Sequence, residues 1–386
     1  MNVLISGASV AGPSLAHWLA RHGFRPTVVE IAPALRGGGY AVDFRSDAHL
    51  TVLARMGVLD ELRAVATGGS PGSYVDASGA EIFALPAEFT GGDVEVRRSD
   101  LARILFEHTR ADAEYVFGDS ITSLTETPHG VEVAFARSAP RTFDLVIGAD
   151  GLHSNVRRLA FGPEEDYLSH LGYYAAGWPA PDGTEAGRVA RHHNEPGRMI
   201  GVGATAGRPE VFAAFASGAI AFDRRDVAAQ KEIIARTYAG MGWRAAELVG
   251  ALATTDELYF DAIGRVDVPV WSRGRIALAG DAAHGATLGG MGTGTAVVGA
   301  YVLAGELAAA GGDHTVAFPA YEKELRAFAT TCQEGGETTG AFLSPATAEK
   351  LAERDAMMRS PEFAALWAEV ARERAADIAL KGYGLY

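Results

Sequence analysis

Two short motifs in the sequence place an aspartate beside a glycine directly after an apolar run. Gly280-Asp281 follows residues 275–279, and Asp150-Gly151 follows residues 143–149. Apolar runs of this length are typical of buried strands, so both aspartates are expected at the carboxyl ends of strands. From that position Asp150 can accept hydrogen bonds from ribose hydroxyls or from water.

A glycine-rich loop, residues 285–294, follows the first of these motifs and precedes a long apolar helix that starts near Thr293. Glycines allow close approach to the backbone, and a helix N-terminus offers free N–H groups to an anion. The pattern predicts a site for a bulky anionic cofactor. The candidate contacts in this stretch are Gly280, Asp281, Gly290, Met291, Gly292 and Thr293.

The N-terminal 30 residues predict a strand at residues 2–6, a helix to about residue 22 and a second strand at 25–30. This order is the dinucleotide-binding pattern. Gly7 would make the tight turn, Gly12 would permit close helix–strand packing, and Glu30 would accept from ribose hydroxyls. Ser9 stands where the pattern has its middle glycine, and Val10 and Ala11 complete the loop.

Three arginines stand next to predicted anion sites. Arg36 precedes three glycines, which favours either a backbone lying against a flat or anionic ligand or a flexible loop. Arg98 precedes a helix for which Ser99 is the candidate N-cap. Arg157 lies on a helix that Ser154 can cap, where it can hold Asp150 or a phosphate, or form a structural ion pair at the strand–helix junction.

The elements around these residues predict an α/β protein with a Rossmann-like domain, an antiparallel β-sheet domain and a C-terminal helix. At 386 residues the chain is long for a single core. We expect a discontinuous cofactor-binding domain, a substrate-binding sheet domain and a C-terminal segment with helices at 346–358 and 361–380 that packs across both. The predicted boundaries are 1–72, 98–165 and 270–343 for the first, 73–97 and 166–269 for the second, and 344–386 for the third.

One face of the predicted sheet at residues 167–216 is expected to form a substrate wall. Strand alternation puts Arg188 and His192 on one face and Val189, Arg191 and His193 on the other, and both orientations towards a substrate stay open. The candidate substrate contacts are Tyr173, Arg191, Met199, Phe212 and Phe215.

Composition excludes several classes of protein. The net charge of −14 argues against nucleic-acid or anionic-membrane partners. The single cysteine, Cys332, excludes an intrachain disulfide and fits a reducing, cytoplasmic location. No apolar stretch of about 20 residues predicts a membrane span. The pair His192-His193 lacks a third clustered ligand, so no metal site is predicted.

Taken together, the motifs resemble those of the FAD-dependent aromatic hydroxylases of the p-hydroxybenzoate hydroxylase class. Gly7-x-Ser9-x-x-Gly12 with Glu30 is similar to the site for the ADP part of FAD. Asp150-Gly151 with Arg157 resembles the DG motif, which touches FAD and NAD(P)H, and Gly280-Asp281 resembles the GD motif, whose aspartate holds the ribityl chain. Arg98 matches an arginine near the flavin, and residues 298–307 look most like the branch with tetracycline-inactivating and polyketide-tailoring monooxygenases.

The resemblance implies bound FAD, transient NADPH or NADH, and O2. Reduced flavin would form a C4a-hydroperoxide that hydroxylates an aromatic or polyketide-like small molecule, with no essential acid–base residue assigned. Arg45 or Arg157 would assist NAD(P)H binding, and His284 would either hydrogen-bond near the flavin or pack against Tyr301. The alternatives are an FAD-dependent reductase or oxidase of a hydrophobic small molecule and a non-catalytic flavin-binding regulator; a flavin halogenase is a weaker one. Substrate, nicotinamide preference and oligomeric state are not readable from the sequence.

The glycine-rich loop differs in one respect from the family that the chain resembles. Relatives carry a proline shortly after the GD motif, whereas residues 285–292 contain none. Because proline restricts the unfolded chain, its absence makes the loop costlier to order. We therefore expect this loop to be mobile without FAD and ordered by it.

Overall fold

The computed structural model describes residues 1–35, 37, 41–69, 71–85, 92, 94–185, 187, 189–205, 207–289, 291–363 and 378–384. Eighteen strands occur in these ranges. Their bounds are β1 Asn2–Ser6, β2 Arg25–Glu30, β3 Ala41–Phe44, β4 Gly72–Val75, β5 Glu81–Leu85, β6 Val94–Arg97, β7 Glu114–Phe117, β8 Ile121–Thr127, β9 Gly130–Phe135, β10 Arg141–Phe143, β11 Leu145–Gly148, β12 Leu168–Pro179, β13 Ala190–Glu195, β14 Arg198–Thr205, β15 Arg208–Ala216, β16 Tyr259–Val266, β17 Ser272–Arg273 and β18 Ile276–Leu278.

The helices of the described ranges connect and cover these strands. Short 3₁₀ turns occur at Glu164–Asp166 and Ala251–Ala253. The α-helices are α1 Ala11–Arg21, α2 Asp47–Met56, α3 Leu59–Ala64, α4 Arg98–Glu107, α5 Asn155–Ala160, α6 Val227–Tyr238, α7 Ala245–Gly250, α8 Asp281–His284, α9 Gly292–Ala309, α10 His314–Glu337, α11 Thr339–Leu343 and α12 Ala348–Met358.

The first of the two large sheets has six strands in the order β17-β18-β11-β1-β2-β7. Its strands are parallel except for the β17–β18 pair. The chain leaves β1 towards β2 on one side and returns later to β11 on the other. The carboxyl ends of β1 and β11 therefore border the crevice where this class of fold binds ligands.

The second large sheet has seven strands in the order β16-β12-β15-β14-β13-β4-β5. All neighbouring strands in it are antiparallel except β13 and β4. One face packs on α6 and α7 through Ile234 and Leu248. The other face packs on α11 and α12 through Phe342 and Met358. Smaller sheets are formed by β10-β9-β8 and by β3-β6. The predicted fold class is confirmed, and the domain boundaries stay a prediction.

Helix α9 is buried along almost its whole length beside the parallel sheet. A helix that is apolar on all sides needs neighbours on all sides, and α1, α2 and α10 supply them. Glu306 is the buried acidic residue of α9, and it contacts the C-terminal residues Lys381 and Tyr383. None of the described helices is long and apolar enough to cross a membrane.

Several local predictions can be compared with the structure. The β4–β5 hairpin turns at Asp76, whose Oδ1 accepts from the backbone N–H groups of Ser78 and Ala80. Ser99 is not the N-cap of α4; the helix already starts at Arg98 and has no side-chain cap. The helix expected at 346–358 is present as α12 at Ala348–Met358. The predicted helix at 361–380 falls largely outside the described residues.

Candidate functional site

Three carboxyl ends of parallel strands meet at one edge of the six-stranded sheet. Ser6 of β1 pairs with Gly148 of β11, and Gly148 pairs with Leu278 of β18. The residues that follow these strands, Gly7, Asp150 and Asp281, are therefore brought to the same edge although they are far apart in the sequence. We call this region the cofactor edge.

Gly7 and Gly12 are required by close backbone contacts. Gly7 has φ +108°, and a Cβ atom there would lie 2.4 Å from the carbonyl oxygen of Ala149. A Cβ atom on Gly12 would lie 1.9 Å from the carbonyl oxygen of Gly7. Only glycine can bring β1, the first turn of α1 and β11 this close. The turn is further tied to β2 by the bond from Gly7 N to Val29 O.

Glu30 and Ser9 border the same turn. Glu30 Oε2 accepts from Ala8 N at 2.9 Å, and Oε1 accepts from Ala32 N at 2.9 Å. A carboxylate can accept several hydrogen bonds, so these bonds are compatible with the predicted contact to ribose hydroxyls. Arg98 donates from Nη2 to Ser9 Oγ at 3.3 Å, which places the start of α4 over the turn.

Asp150 is held by four donors. Its Oδ2 accepts from Ser6 Oγ at 3.2 Å and from the backbone N–H groups of Asn155 and Val156 at 3.0 Å each. The Ser154 hydroxyl also donates to Asp150. Burial raises the pKa of this carboxyl group, while the bond from Ser154 and the other donors oppose the rise. Asp150 thus accepts from the first two backbone N–H groups of α5 and fixes the β11–α5 loop at the cofactor edge.

Arg157 connects the loops that follow the two aspartates, Asp150 and Asp281. Its side chain is fully buried; Nη1 donates to Ala282 O at 3.0 Å, and Nη2 donates to Leu152 O at 2.7 Å. The predicted cap of α5 is confirmed by the bond from Arg157 N to Ser154 Oγ at 3.0 Å. A guanidinium without solvent access cannot meet an incoming phosphate, so the geometry assigns Arg157 to holding the two loops together.

Asp281 lies beside the start of α9. A Cβ atom on Gly292 would be 3.1 Å from Asp281 Oδ1, so glycine lets the helix start next to this carboxylate. Met291 precedes the helix in the left-handed region with φ 46°, and no side chain caps the first turn. Burial raises the pKa of Asp281, and Arg98 opposes the rise. Within the described residues, no group donates a hydrogen bond to the Asp281 carboxylate.

These features fit a dinucleotide such as FAD. The glycine turn at β1 offers close backbone approach, Arg98 supplies positive charge, and the Asp281 carboxylate can accept from ligand hydroxyls. The uncapped N–H groups of α9 favour partial negative charge on a ligand. Arg36 and Gly290, also predicted as contacts, lie outside the described residues, and Val10, Ala11, Gly280 and Thr293 lie on the loops and helix starts that form the edge.

The sheet divides the candidate substrate residues between its two faces. Tyr259, Gly177, Phe212 and Gly201 lie directly opposite one another along one row, so they share a face. Tyr173 and Met199 lie on this same face, which we call the inner face. Phe215 is buried on the opposite face against Tyr174, and the alternation of β13 puts Arg191 there too. The five residues therefore cannot line a single pocket.

Tyr259 and Asp261 of β16 were missed by the sequence analysis and lie on the inner face. Burial raises the pKa of Tyr259, Asp261 and Asp281 add to the rise, and Arg98 opposes it. The phenol is therefore within electrostatic range of Arg98 and Asp281 at the cofactor edge. Only the pairing of β16 with β12 reveals this position, and no local signal marks it.

His153 connects the β11–α5 loop to the seven-stranded sheet. Its Nε2 lies 3.1 Å from Asp261 Oδ2, and its Nδ1 lies 2.9 Å from Glu164 Oε2. Arg224 Nη1 lies 2.5 Å from the same Nδ1 and donates to Glu164 Oε1 at 3.0 Å. Burial opposes the charge on His153, but the bonds to Asp261 and Glu164 outweigh it and raise the pKa.

His284 does not contact the ring of Tyr301 as one alternative proposed. It packs against Trp271 with ring centroids 4.8 Å apart, and burial lowers its pKa to about 4. Tyr301 instead packs against Trp18 and Tyr383. Among the described residues, no group of three metal-ligating side chains is placed to hold a metal ion.

Comparison with known proteins bears on the cofactor edge. The family model described as "FAD binding domain" matches residues 1–334. An uncharacterised protein of Mycobacterium tuberculosis is 43% identical over 335 residues, 84% of this chain and 90% of that protein. A flavin-dependent monooxygenase of Legionella longbeachae is 36% identical over 345 residues, 87% of this chain and 88% of that protein. The crystal structure of the tetracycline destructase Tet(55) is 33% identical, with a TM-score of 0.84 over 99% of this chain and 98% of the other.

Proposed function

The chain belongs to the FAD-binding family of flavin-dependent monooxygenases, and from this membership we propose that it hydroxylates an aromatic or polyketide-like small molecule with NAD(P)H and O2. The observation that carries the proposal is the convergence of the Gly7 turn, Asp281 and the uncapped start of α9 at one sheet edge. When bound, FAD supplies the activation of O2 and the transfer of one oxygen atom.

The residues of the chain would bind and orient this cofactor. The turn at Gly7 and Gly12 would receive the pyrophosphate, with Arg98 as the cationic partner. Asp281 would accept from hydroxyl groups of the ribityl chain. The first turn of α9 would face the ring system and favour negative charge there through its N–H groups.

The inner face of the seven-stranded sheet is the proposed substrate wall. It presents Tyr173, Phe212 and Tyr259, whose rings suit a flat aromatic compound. Asp261 adds one acidic group to this face. Helices α11 and α12 pack on this wall and would keep water away from the reacting atoms.

The test is substrate-dependent turnover. The purified protein, loaded with FAD, is assayed for NADH and NADPH oxidation and O2 uptake against tetracyclines, anthraquinones and phenols, beginning with tetracyclines because Tet(55) is a tetracycline destructase. With ¹⁸O2, the product of a productive compound should carry one labelled oxygen atom. Asp281→Asn should weaken FAD binding, whereas Asp267→Asn, at a partly exposed pair with Arg265, serves as its control and should bind FAD like the parent chain.

Two outcomes would contradict the proposal. A product formed without ¹⁸O would indicate the reductase or oxidase alternative. Tight FAD binding with no NAD(P)H oxidation for any compound class would indicate a flavin-binding regulator.

A further inference from the structure

Ser9 occupies the one position in the N-terminal turn where the chain departs from the glycine pattern. Gly7 and Gly12 are each enforced by a backbone oxygen within 2.4 Å of a virtual Cβ atom. Position 9 carries a real Cβ atom and a partly exposed side chain, so the backbone does not require glycine there. The hydroxyl group at this position therefore needs a separate explanation.

The hydroxyl group of Ser9 accepts a hydrogen bond from Arg98 Nη2 at 3.3 Å. Arg98 is the first residue of α4, it is exposed, and it lies 89 positions after Ser9 in the sequence. The Arg98 side chain makes no other hydrogen bond to the described parts of the chain. The remaining N–H groups of the guanidinium are left for another acceptor.

The charge of Arg98 also acts on the other side of the cofactor edge. It lowers the pKa of Asp281 and of Tyr259, against the effect of their burial. The guanidinium is therefore in hydrogen-bond contact with the turn after β1 and within electrostatic range of Asp281 in α8 and of Tyr259 in β16. A flexible, exposed arginine at such a junction needs an anchor to keep one orientation.

We propose that Ser9 is a positioning residue that holds the Arg98 guanidinium over the turn after β1, so that it can bind the anionic pyrophosphate of FAD. A glycine at position 9 would permit the same backbone path but would leave Arg98 without this acceptor. The proposal concerns cofactor binding alone, so it is independent of the proposed oxygenation.

The experiment is a titration of the apoprotein with FAD, followed by flavin fluorescence, for Ser9→Thr and Ser9→Val. These two side chains have nearly the same shape, and only threonine keeps the hydroxyl group. We expect Ser9→Thr to bind FAD within about twofold of the parent chain. The loss of one hydrogen bond in Ser9→Val should raise the Kd by about threefold to tenfold.

A double-mutant cycle then connects the effect to Arg98. In an Arg98→Met background, Ser9→Val should change the Kd by less than about twofold, because the partner of the hydroxyl is already gone. Equal Kd values for Ser9→Thr and Ser9→Val would overturn the proposal, and so would a Ser9→Val effect that is unchanged in the Arg98→Met background. Urea unfolding of each apoprotein verifies that it folds. Because threonine and valine have nearly the same shape, a steric effect on the turn would weaken both variants, and the difference between them still reports the hydroxyl group.

Discussion

Replacing Gly12 with alanine tests the steric basis of the cofactor edge. The added Cβ atom would lie 1.9 Å from Gly7 O, and an ordinary contact begins at 3.4 Å, so the groups must separate by about 1.5 Å. The obstacle is a backbone oxygen that cannot rotate away. Helix α1 would have to shift as a unit, and it is anchored by the fully buried Leu15 and Trp18.

We expect Gly12→Ala to lose about 1–3 kcal/mol of unfolding free energy, the usual cost of overpacking. The same separation of about 1.5 Å would displace the N–H groups of the turn from the FAD pyrophosphate, and the loss of one such hydrogen bond to a charged group should raise the Kd on the order of tenfold. Urea unfolding of the apoprotein and FAD titration by fluorescence measure the two effects separately.

The matched control is Gly250→Ala at the end of α7. Gly250 has φ −55°, and nothing lies within 4 Å of its virtual Cβ atom. This change should stabilise the protein by about 0.5–1 kcal/mol and leave FAD affinity unchanged. Parent-like stability and FAD affinity in Gly12→Ala would show that the close approach of α1 to β1 is not required, and would refute the reasoning.

Three further predictions concern other parts of the molecule, and a fourth concerns pH. Asp281→Asn should raise the Kd for FAD on the order of tenfold, because the amide offers fewer acceptor sites; an unchanged Kd would remove Asp281 from the site. Tyr383→Phe removes a 2.8 Å hydrogen bond to buried Glu306 and should cost about 1–3 kcal/mol in urea unfolding with an unchanged slope, whereas no loss would mean that the C-terminal contact is not stabilising. FAD should protect residues 285–292 from proteolysis, and equal cleavage with and without FAD would contradict the expected ordering. Because the pKa of His153 is raised in the folded protein, protonated His153 contributes fully to the free energy of unfolding below its ordinary pKa of 6.5, and this contribution is lost as pH rises through the raised value. The difference in unfolding free energy between the parent chain and His153→Gln should therefore shrink from about pH 6 to about pH 8.5. A difference that stays constant would count against a charged His153.

Local backbone constraints explain why much of the fold was predictable. Tight turns and buried strands depend on residues within a few positions, as at Gly7 and Gly12. The apolar runs before Asp150 and Asp281 likewise predicted strands that the structure contains. Their arrival at one sheet edge also follows, because parallel strands place their carboxyl ends together.

Side-chain partners were predicted less well, because they depend on elements that meet only in the folded chain. Arg157 was expected to hold Asp150 or a phosphate, or to form a structural ion pair. Its buried guanidinium donates to the carbonyl oxygens of Leu152 and Ala282 and lies 3.8 Å from Glu164 Oε2, so the ion-pair alternative comes nearest to the structure. The alternative that paired His284 with Tyr301 was wrong, because Trp271 fills the space beside the histidine. Nothing in the neighbouring sequence could report these contacts.

By itself, the sequence determined that this chain builds a dinucleotide turn at residues 7–12 and places two aspartates after buried strands, since both depend on short-range sterics and strand periodicity. Only the tertiary structure decided which sheet face carries Tyr173 and Phe212, and that Tyr259 joins them. Those outcomes depend on the register between strands that are tens of residues apart, and a shift of one residue would reverse every side chain.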